Sequence, residues 1–480
     1  MHRWLIAVTV FVSAAAVLVL EIVAGRILAP YVGVSLQTFT GIIGTILAAI
    51  ALGAWAGGRL ADRYDPETLL GPAVMAGAVL AVLSPALVYV VGPSAAGESA
   101  AAIISLAAIG FFLPAVVLST ITPIAAKLLL HSLDTTGAVV GQLSAIGTAG
   151  AIFGTFITGF FLVAAIPSQP ITWVVGAVLL VLGIILTLPM GRAPIIGAIV
   201  VFAVSAMGSA AIAAPCDYET AYSCALIVDR DEGPAVKALI LDTFVNSVVD
   251  VEDPTYLSSR YARVIDAVIM SRHQTGPAAV AYIGGGGYTL PRYYDETADA
   301  SAVVMEIDGE LPAIAVTELG LIEGPWLETL VGDARLSSRT LDDGTFDAIV
   351  GDAFSGRSVP WHLTTREFVA ELASKLTTDG LYVLNVIDHP PLEFVRAELA
   401  TLGAVFDHVA VVAPEAYLAG GRGGNFILVG STSPIDHRRI TETVTDGEVV
   451  LVDTDARAWA GQARVLRDEF APTDQLLSRP

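Results

Sequence analysis

Residues Val280 to Tyr294 read VAYIGGGGYTLPRYY, an apolar run of strand length followed by four glycines and the start of a helix. Glycines at such a junction let backbone N–H groups approach a ligand closely, and the N-terminus of the next helix favours negative charge. This pattern is typical of the first strand of a nucleotide-binding α/β sheet. A glycine run alone is weak evidence, so the interpretation depends on the strands that follow.

Apolar runs of strand length alternate with helical stretches after this turn. Strands are expected at AVAYI, AVVMEID, FDAIVGD, GLYVLNVI, HVAVVAP and NFILVG, with helices such as TREFVAELASKL between them. A further helix, RYARVIDAVIMSR (Arg260 to Arg272), precedes the first strand. The alternation predicts a doubly wound, Rossmann-like sheet, with ligands at the carboxyl ends of its strands. Upstream, CALIV, AVKALILD and SVVDV predict a small β-hairpin layer.

Candidate site residues stand at the ends of these strands. Gly284, Gly285 and Gly286 would cradle the ligand through their backbone N–H groups. Glu306 comes 20 residues after Gly286, the spacing at which an acid accepts hydrogen bonds from ribose hydroxyls. Asp333, in VGDAR, is placed to accept from an adenine amine, and Asp352 ends FDAIVGD. Four matched strand ends in order favour an adenosine-containing ligand.

The first half of the chain has a different character, because its apolar residues form long runs. Seven of these reach or approach the roughly 20 residues needed to cross a bilayer. They are Trp4 to Val23, Phe39 to Trp55, Leu69 to Val91, Ala100 to Ala125, Val139 to Ile166, Ile171 to Pro189 and Ile195 to Ala213. The first run lacks a small-x-small cleavage site and is interpreted as a retained helix. We therefore expect a multi-pass all-α bundle in the lipid bilayer (residues 1–214), the β layer (215–252) and the α/β domain (253–480).

Charge divides the chain at the same place. Up to Ala213 six basic residues balance six acidic ones, so the remaining residues carry the whole net charge of −22. Such an acidic domain argues against nucleic acid or anionic lipid as its partner. Only three lysines occur, and an acidic, lysine-poor surface resembles that of proteins from salt-loving archaea. A solubility adaptation explains it better than an acidic binding face does.

Basic residues beside the apolar runs predict an orientation. Arg3 precedes the first run, and Arg59, Arg63, Lys127 and Arg192 follow the second, fourth and sixth runs. The alternate connections hold only Arg26. By the positive-inside rule the N-terminus is cytoplasmic and, after seven spans of the cell membrane, the α/β domain lies outside.

The two cysteines, Cys216 and Cys224, follow the last apolar run. Two cysteines close in sequence with no histidine nearby suit a disulfide better than a metal site, and unpaired thiols are the alternative. A disulfide would agree with an outside location. No metal site is expected.

Several motifs together resemble the spermidine synthases (polyamine aminopropyltransferases), in particular relatives fused to a multi-span region. The resemblance covers about Leu239 to Gly430. LDTFVNSVVDVEDP matches the family's LDG-x-x-Q stretch, IGGGGYT matches IGGGDGG, MEID matches VEID, GDA matches D-D-G or G-D-A, GDAFSG matches D-x-x-D-P, and HLTTREF (His362 to Phe368) matches L-[FY]-[ST]-x-EF.

The resemblance implies a Rossmann-like sheet of class I methyltransferase type and an enzyme with no permanently bound cofactor. Its donor would be decarboxylated S-adenosylmethionine, attacked by an amine nitrogen at the methylene beside the sulfonium, with release of methylthioadenosine. Carried over by motif, the expected roles are donor binding by Asn246, Glu306 (ribose), Asp333 and Ala334 (adenine), proton acceptance by Asp352, and contact with the small-molecule acceptor by Tyr261 and Ser355. Asp352 could instead cap the segment that follows it. A homodimer through the soluble domain is a further expectation.

Departures from the family pattern concern the amine half of the site. Gly287 stands where the family has the aspartate of GGGD, and Ser355 stands at the second aspartate of D-x-x-D. Asn246 replaces a glutamine, and Tyr261, Ala262 and Arg263 stand at the family's Y-H-E. Losing two amine-holding acids should weaken amine binding by about 10² to 10⁴. Two alternatives therefore stay open: a methyltransferase using S-adenosylmethionine itself, and a non-catalytic membrane transporter or sensor with a nucleoside-binding domain.

Overall fold

The computed structural model describes residues 2–97, 99–130, 136–354, 356, 359–444 and 447–478. The chain divides into two compact units. The first comprises Met1–Leu226 with Leu241–Thr243, and the second comprises Ile227–Ile240 with Phe244–Pro480. Each unit has its own apolar core.

Seven long helices make up most of the first unit and coincide with the seven apolar runs. They are α1 (Arg3–Val32), α2 (Leu36–Arg63), α3 (Pro66–Ala95), α4 (Ala100–Leu129), α5 (Thr136–Ala165), α6 (Ser168–Met190) and α7 (Arg192–Ala210). Two π-helical turns, Ala108–Phe112 and Thr158–Leu162, lie within α4 and α5. By length and composition all seven are able to cross a membrane.

Small residues let these helices pack closely in pairs. Helix α1 packs along α5, α2 along α4, and α3 along α6. A Cβ atom at Gly154 would lie 2.4 Å from the carbonyl oxygen of Ala15, so α5 and α1 are in backbone contact there. At the ends of α2 and α4, Asp62 and Lys127 form an ion pair of 2.8 Å, which puts these two ends on one side of the bundle.

The outward faces of the bundle are apolar. Phe160 is 72% exposed and Met207 is 74% exposed. Monomeric soluble proteins rarely expose contiguous apolar surface on this scale. Faces of this composition suit contact with lipid.

A four-stranded sheet follows the last long helix, where the sequence predicts a small β layer. Its strands β1 (Tyr218–Glu219), β2 (Cys224–Asp229), β3 (Val236–Leu241) and β4 (Phe244–Asp250) are paired in chain order. Cys216 and Cys224 form a disulfide, which confirms the pairing expected from their spacing.

The second unit is built on an eight-stranded sheet. Its strands are β5 (Ala279–Ile283), β6 (Ser301–Glu306), β7 (Leu327–Val331), β8 (Phe346–Gly351), β9 (Leu376–Asp388), β10 (His408–Pro414), β11 (Gly424–Ser431) and β12 (Glu448–Val452), in the spatial order β12-β10-β11-β9-β8-β5-β6-β7. The five strands from β9 to β7 are parallel to one another, and β10, β11 and β12 pair antiparallel with their neighbours.

This arrangement confirms the Rossmann-like, methyltransferase-type fold of the C-terminal part. The order β7-β6-β5-β8-β9 is the 3-2-1-4-5 order of doubly wound sheets. Two features differ from the sequence-based expectation. Strand β12 was not foreseen, β7 was expected only through its end at VGDAR, and β11 is inserted antiparallel between β9 and β10.

Helices and short turns connect the strands. They are α8 (Arg260–Arg272), α9 (Thr289–Ala298), α10 (Leu311–Glu318), α11 (Ala334–Ser337), α12 (Arg366–Lys375), α13 (Glu393–Leu402), α14 (Glu415–Leu418), α15 (His437–Thr443), α16 (Thr454–Ala460) and α17 (Thr473–Leu476). Helix α8 has the bounds expected from its apolar spacing. The core on the α12 and α13 side of the sheet includes the buried Phe368, Phe394 and Phe426.

Candidate active site

Strand register brings the candidate residues to one edge of the second unit's sheet. Ile283 at the end of β5 pairs with Met305 of β6 and with Gly351 of β8. The residues that follow, Gly284, Glu306 and Asp352, therefore lie side by side at the carboxyl ends of three adjacent parallel strands. Ligands of open α/β sheets bind at this edge.

The glycine turn has a backbone that side chains would not permit. Gly284 has φ +96° and Gly286 has φ +49°, both in the left-handed region that favours glycine. A Cβ atom at Gly284 would lie 2.7 Å from the carbonyl oxygen of Asp352. The turn after β5 and the start of the loop after β8 are therefore in backbone contact, which fixes the glycine turn against Asp352.

Glu306 binds the glycine turn from the neighbouring strand. Its Oε2 accepts hydrogen bonds from the N–H groups of Gly285 at 2.8 Å and Gly286 at 3.3 Å, and its Oε1 accepts from Asp308 N–H at 2.9 Å. The side chain is only 5% exposed, and burial raises the pKa of its carboxyl group. A carboxylate has about four lone-pair sites, so one stays available for a ribose hydroxyl.

Asn246 and Ser247 of β4 lie against the other side of the same turn. Ser247 Oγ accepts from Gly287 N–H at 2.9 Å and donates to Asn246 Oδ1 at 2.8 Å. A Cβ atom at Gly286 would lie 2.2 Å from Asn246 Oδ1. Asn246, which the sequence analysis expects to contact the adenosyl donor, thus lies at the glycine turn. Ser247 had been missed, because a serine in a short β-like run carries no signal of its own.

Asp352 lies in a small hydrogen-bond network at the end of β8. Its Oδ1 accepts from Asn385 Nδ2 at 2.8 Å, and the hydroxyl of Tyr261 also hydrogen bonds to it. Burial raises the pKa of Asp352 to about 6, and the two hydrogen bonds oppose that rise. Burial and the neighbouring Asp352 raise the pKa of Tyr261, so Tyr261 stays protonated as a donor.

Asn385 is the residue of this network that sequence reasoning missed. It is 2% exposed on β9, and its Oδ1 accepts from Asn425 Nδ2 of β11 at 3.0 Å. The available signal was an amide inside the otherwise apolar run LYVLNVI. A buried amide of this kind needs hydrogen-bond partners, and Asp352 is one of them.

Asp333 has local partners that limit its expected role. Its Oδ1 accepts from Arg335 N–H at 2.9 Å and so caps helix α11, which begins at Ala334. Its Oδ2 lies 2.9 Å from His362 Nε2. A contact with an adenine amine would have to be shared with these partners. Ser355, the other expected acceptor contact beside Tyr261, lies outside the described residues.

Comparison with known proteins gives the site a context. No family model matches the chain. A polyamine aminopropyltransferase of Vibrio vulnificus (strain CMCP6) is 25% identical over 220 residues, which cover 42% of this chain and 70% of the relative. A polyamine aminopropyltransferase of Chromobacterium violaceum is 29% identical over 143 residues, 29% of this chain and only 54% of the relative. A crystal structure of a probable spermidine synthase from Corynebacterium glutamicum shares 26% identity with a TM-score of 0.50, covering 55% of this chain and 98% of that one.

The fold and the site define the second unit as a Rossmann-like domain of the methyltransferase type. Its homologues are polyamine aminopropyltransferases and spermidine synthases, which supports a transferase. The C-terminal part of the chain is thus spermidine synthase-like. None of these relatives bears on salt adaptation, which stays a prediction.

Proposed function

We propose that the second unit binds an adenosyl donor on the Gly284–Gly287 turn and transfers an aminopropyl or related group to an amine. The observation that carries this proposal is the position of Asp352. Its carboxylate is held by Asn385 and Tyr261 immediately beside the glycine turn. A base in this position can take a proton from an acceptor amine while the donor lies at the same edge of the sheet.

The chemistry is a single displacement. The amine nitrogen forms a bond to the donor carbon next to the sulfonium, the C–S bond breaks, and sulfur keeps the electron pair as methylthioadenosine leaves. The proton lost by the amine goes to Asp352. Because burial raises its pKa to about 6, this carboxylate is ionised at neutral pH yet more basic than an exposed aspartate.

The acceptor differs from the polyamines of the relatives in its charge. The family's aspartate is absent at Gly287, where Ser247 fills the space: a Cβ atom at Gly287 would lie 2.7 Å from Ser247 Cβ. Fewer acids mean weaker attraction for a multiply charged amine. We therefore propose an acceptor with a single amine. The same position favours a second candidate, a methyltransferase, because the carboxylate of S-adenosylmethionine would meet no acid there.

Product analysis tests the two candidates together. The full-length protein in nanodiscs is incubated with either donor and a panel of monoamines and diamines. Methylthioadenosine from decarboxylated S-adenosylmethionine is the expected product. Formation of S-adenosylhomocysteine alone would replace the proposal by the methyltransferase, and absence of both products would contradict any transferase.

Restoring the family's acid gives a prediction about Gly287. Gly287→Asp alone is expected to lower the thermal unfolding midpoint, because its Cβ would clash with Ser247. Adding Ser247→Gly removes that Cβ and should restore part of the stability, because the N–H of residue 287 then loses the Ser247 hydroxyl as its acceptor. The double variant is then expected to have a KM for a diamine about 10-fold lower, because the new aspartate adds one charge-assisted hydrogen bond to the second amine. Ser247→Gly alone is the matched control. Unchanged selectivity between monoamines and diamines in the double variant would contradict the proposed role of position 287.

We further propose that the first unit spans a cell membrane with the second unit outside. The ends of α2 and α4 share one side of the bundle through the Asp62–Lys127 pair, which supports grouping the basic connections on the cytoplasmic side. Arg26, near the end of α1, bonds to Glu219, which follows α7, so these two ends share one side, as an odd number of spans requires.

Cysteine labelling tests this orientation. Asp231→Cys, in the exposed turn after β2, is expected to react with an impermeable maleimide in intact cells, whereas Asp65→Cys between α2 and α3 is not. Labelling of Asp65→Cys alone would place the second unit in the cytoplasm, where adenosyl donors are made. An outside location instead requires that the donor be delivered to it.

A further inference from the structure

A cavity of about 250 Å³ lies within the first unit, apart from the candidate active site. All of its lining residues belong to Met1–Leu226 or Leu241–Thr243. Apolar side chains form its wall, among them Ile22 of α1, Phe39 of α2 and Val163 of α5. Gly159, in the π-helical turn of α5, also lines it, and such turns are frequent at functional sites.

One end of the cavity is polar, and two of its charged side chains, Arg26 and Glu219, are paired with each other. Arg26 donates from Nε to Glu219 Oε1 at 3.2 Å, from Nη1 to the Ala221 carbonyl at 2.8 Å, and from Nη2 to the Thr220 carbonyl. Glu219 also accepts from the Ser168 N–H at 3.0 Å and from the Ser168 hydroxyl. Because Arg26 is engaged at all three nitrogens, it offers little to an anionic ligand.

Asp242 is the least compensated charge at this end: Arg26 attracts it, but the hydrogen bonds of Arg26 go to Glu219, Thr220 and Ala221 instead. Its Oδ1 accepts from Cys224 N–H at 3.0 Å, and within the described ranges no donor is seen on its Oδ2. Ser223, which also lines the cavity, has a buried hydroxyl with no partner in the part of the chain that the structure describes. Burial raises the pKa of Asp242 to about 6; the Cys224 N–H and Arg26 oppose the rise, and Glu219 adds to it.

These features indicate which ligand group would fit the polar end of the cavity. A head with N–H donors and a positive charge would satisfy Asp242 Oδ2, because an ammonium has three donors and no acceptor. Among the described residues that line the cavity, Arg26 is the one cation and is already occupied, so a carboxylate or phosphate would meet Glu219 and Asp242 instead. A chain attached to the head would lie on the apolar wall, where its burial is favourable.

We propose that this cavity binds an amphiphilic amine, with the ammonium on Asp242 and the alkyl chain along Ile22, Phe39 and Val163. This binding site is independent of the transferase reaction, because no residue of the second unit lines it. It gives the first unit a ligand of its own. The amine is thus recognised at the end of the bundle that carries the disulfide loop.

Binding of octylamine to the full-length protein in nanodiscs tests the proposal, with octanol and octanoate as matched probes and empty nanodiscs as the background. Octylamine is expected to bind at least about 10-fold more tightly than either probe, the effect of one charge-assisted hydrogen bond. Asp242→Asn should remove about 10- to 10²-fold of that affinity. Asparagine tolerates the φ of +53° at this position and keeps an oxygen for Cys224 N–H, so the variant should fold. Asp231→Asn, in an exposed turn, is the matched control.

The pH dependence gives an independent readout. The charged and titratable side chains that line the cavity with Asp242 are Arg26, Glu219, Tyr89 and Tyr222. Octylamine affinity is expected to fall as the pH is lowered through about 6, where Asp242 takes up a proton, while octanol affinity stays constant. Equal affinities for octylamine and octanol, an unchanged affinity in a folded Asp242→Asn variant, or binding no greater than to empty nanodiscs would each overturn the proposal.

Discussion

Asp352→Asn is expected to lower kcat/KM for methylthioadenosine release by about 10² to 10⁴, the usual contribution of a general base. The amide cannot accept the amine proton, yet it has nearly the same shape and can still bond to Asn385 or Tyr261. KM for the donor should change little, because the proposed donor contacts lie on Glu306 and the glycine turn. Single-turnover kinetics at saturating donor measure the loss directly.

Although Asp352→Asn should lower activity, it should raise the stability of the folded protein. The folded-state pKa of Asp352 is raised to about 6, above its ordinary value of 3.8, so ionisation disfavours the folded state. This cost is absent at low pH and is fully present above about pH 6. Asp352→Asn is therefore expected to raise the unfolding midpoint at pH 8 but not at pH 4. A gain in stability together with a loss of activity is the signature of a functional group.

The pH profile completes the test. For the unmodified protein, kcat/KM is expected to rise with pH through about 6 as Asp352 loses its proton. The profile of Asp352→Asn should lack that limb, and Asp342→Asn, at an exposed aspartate before β8, should keep it. If Asp352→Asn retained full activity with the same profile, Asp352 would be a capping residue, as the sequence also allowed. The unmodified protein and Asp352→Asn could both be inactive, while cells carrying Asp352→Asn still behave like cells with the unmodified protein and unlike a deletion. A binding role without turnover would then follow.

Local sequence signals predicted the parts of the site that depend on one strand end at a time. The glycine turn requires positive φ, and glycine shows this directly in the sequence. Glu306 and Asp352 are acids that end apolar runs, which places them at the carboxyl edge once the strands are parallel. Helix α8 was predicted with its bounds because its apolar spacing is regular over its whole length.

The residues that were missed depend on pairing between distant segments. Asn385 reaches Asp352 because β9 lies beside β8, and Asn425 reaches Asn385 because β11 is inserted antiparallel next to β9. Nothing local specifies that insertion, since strand order is decided by packing across the sheet. Likewise Ser247 acquires its role at Gly287 only when β4 folds against the glycine turn. The capping bond of Asp333 is local and was foreseeable, whereas its pairing with His362 was not.

Glu306→Gln is expected to weaken binding of methylthioadenosine by about 10- to 10²-fold, because the site loses one to two charge-assisted hydrogen bonds to ribose. Calorimetric titration of the product measures this without turnover. The substitution should also lower the unfolding midpoint. Glutamine has one acceptor oxygen and an NH₂ group, so it cannot serve the N–H groups on both oxygens of Glu306. Glu310→Gln, an exposed position just before α10, is the matched control for both measurements.

The changes in product affinity and in unfolding midpoint distinguish two roles of Glu306, stabilising the glycine turn and binding the donor. Three backbone N–H groups already bond to Glu306, and the 3.3 Å contact from Gly286 is the longest of them. A ribose that needs two acceptor sites would take the unused lone pair and displace the Gly286 contact, so donor binding should shift the Gly286 amide resonance and leave that of Asp308 nearly unchanged. If Glu306→Gln lost stability but bound methylthioadenosine with unchanged affinity, Glu306 would only stabilise the turn. The Glu306 carboxylate both shapes the glycine turn and is proposed to contact the donor. We therefore expect Glu306→Gln to weaken product binding by more than its loss of stability alone would.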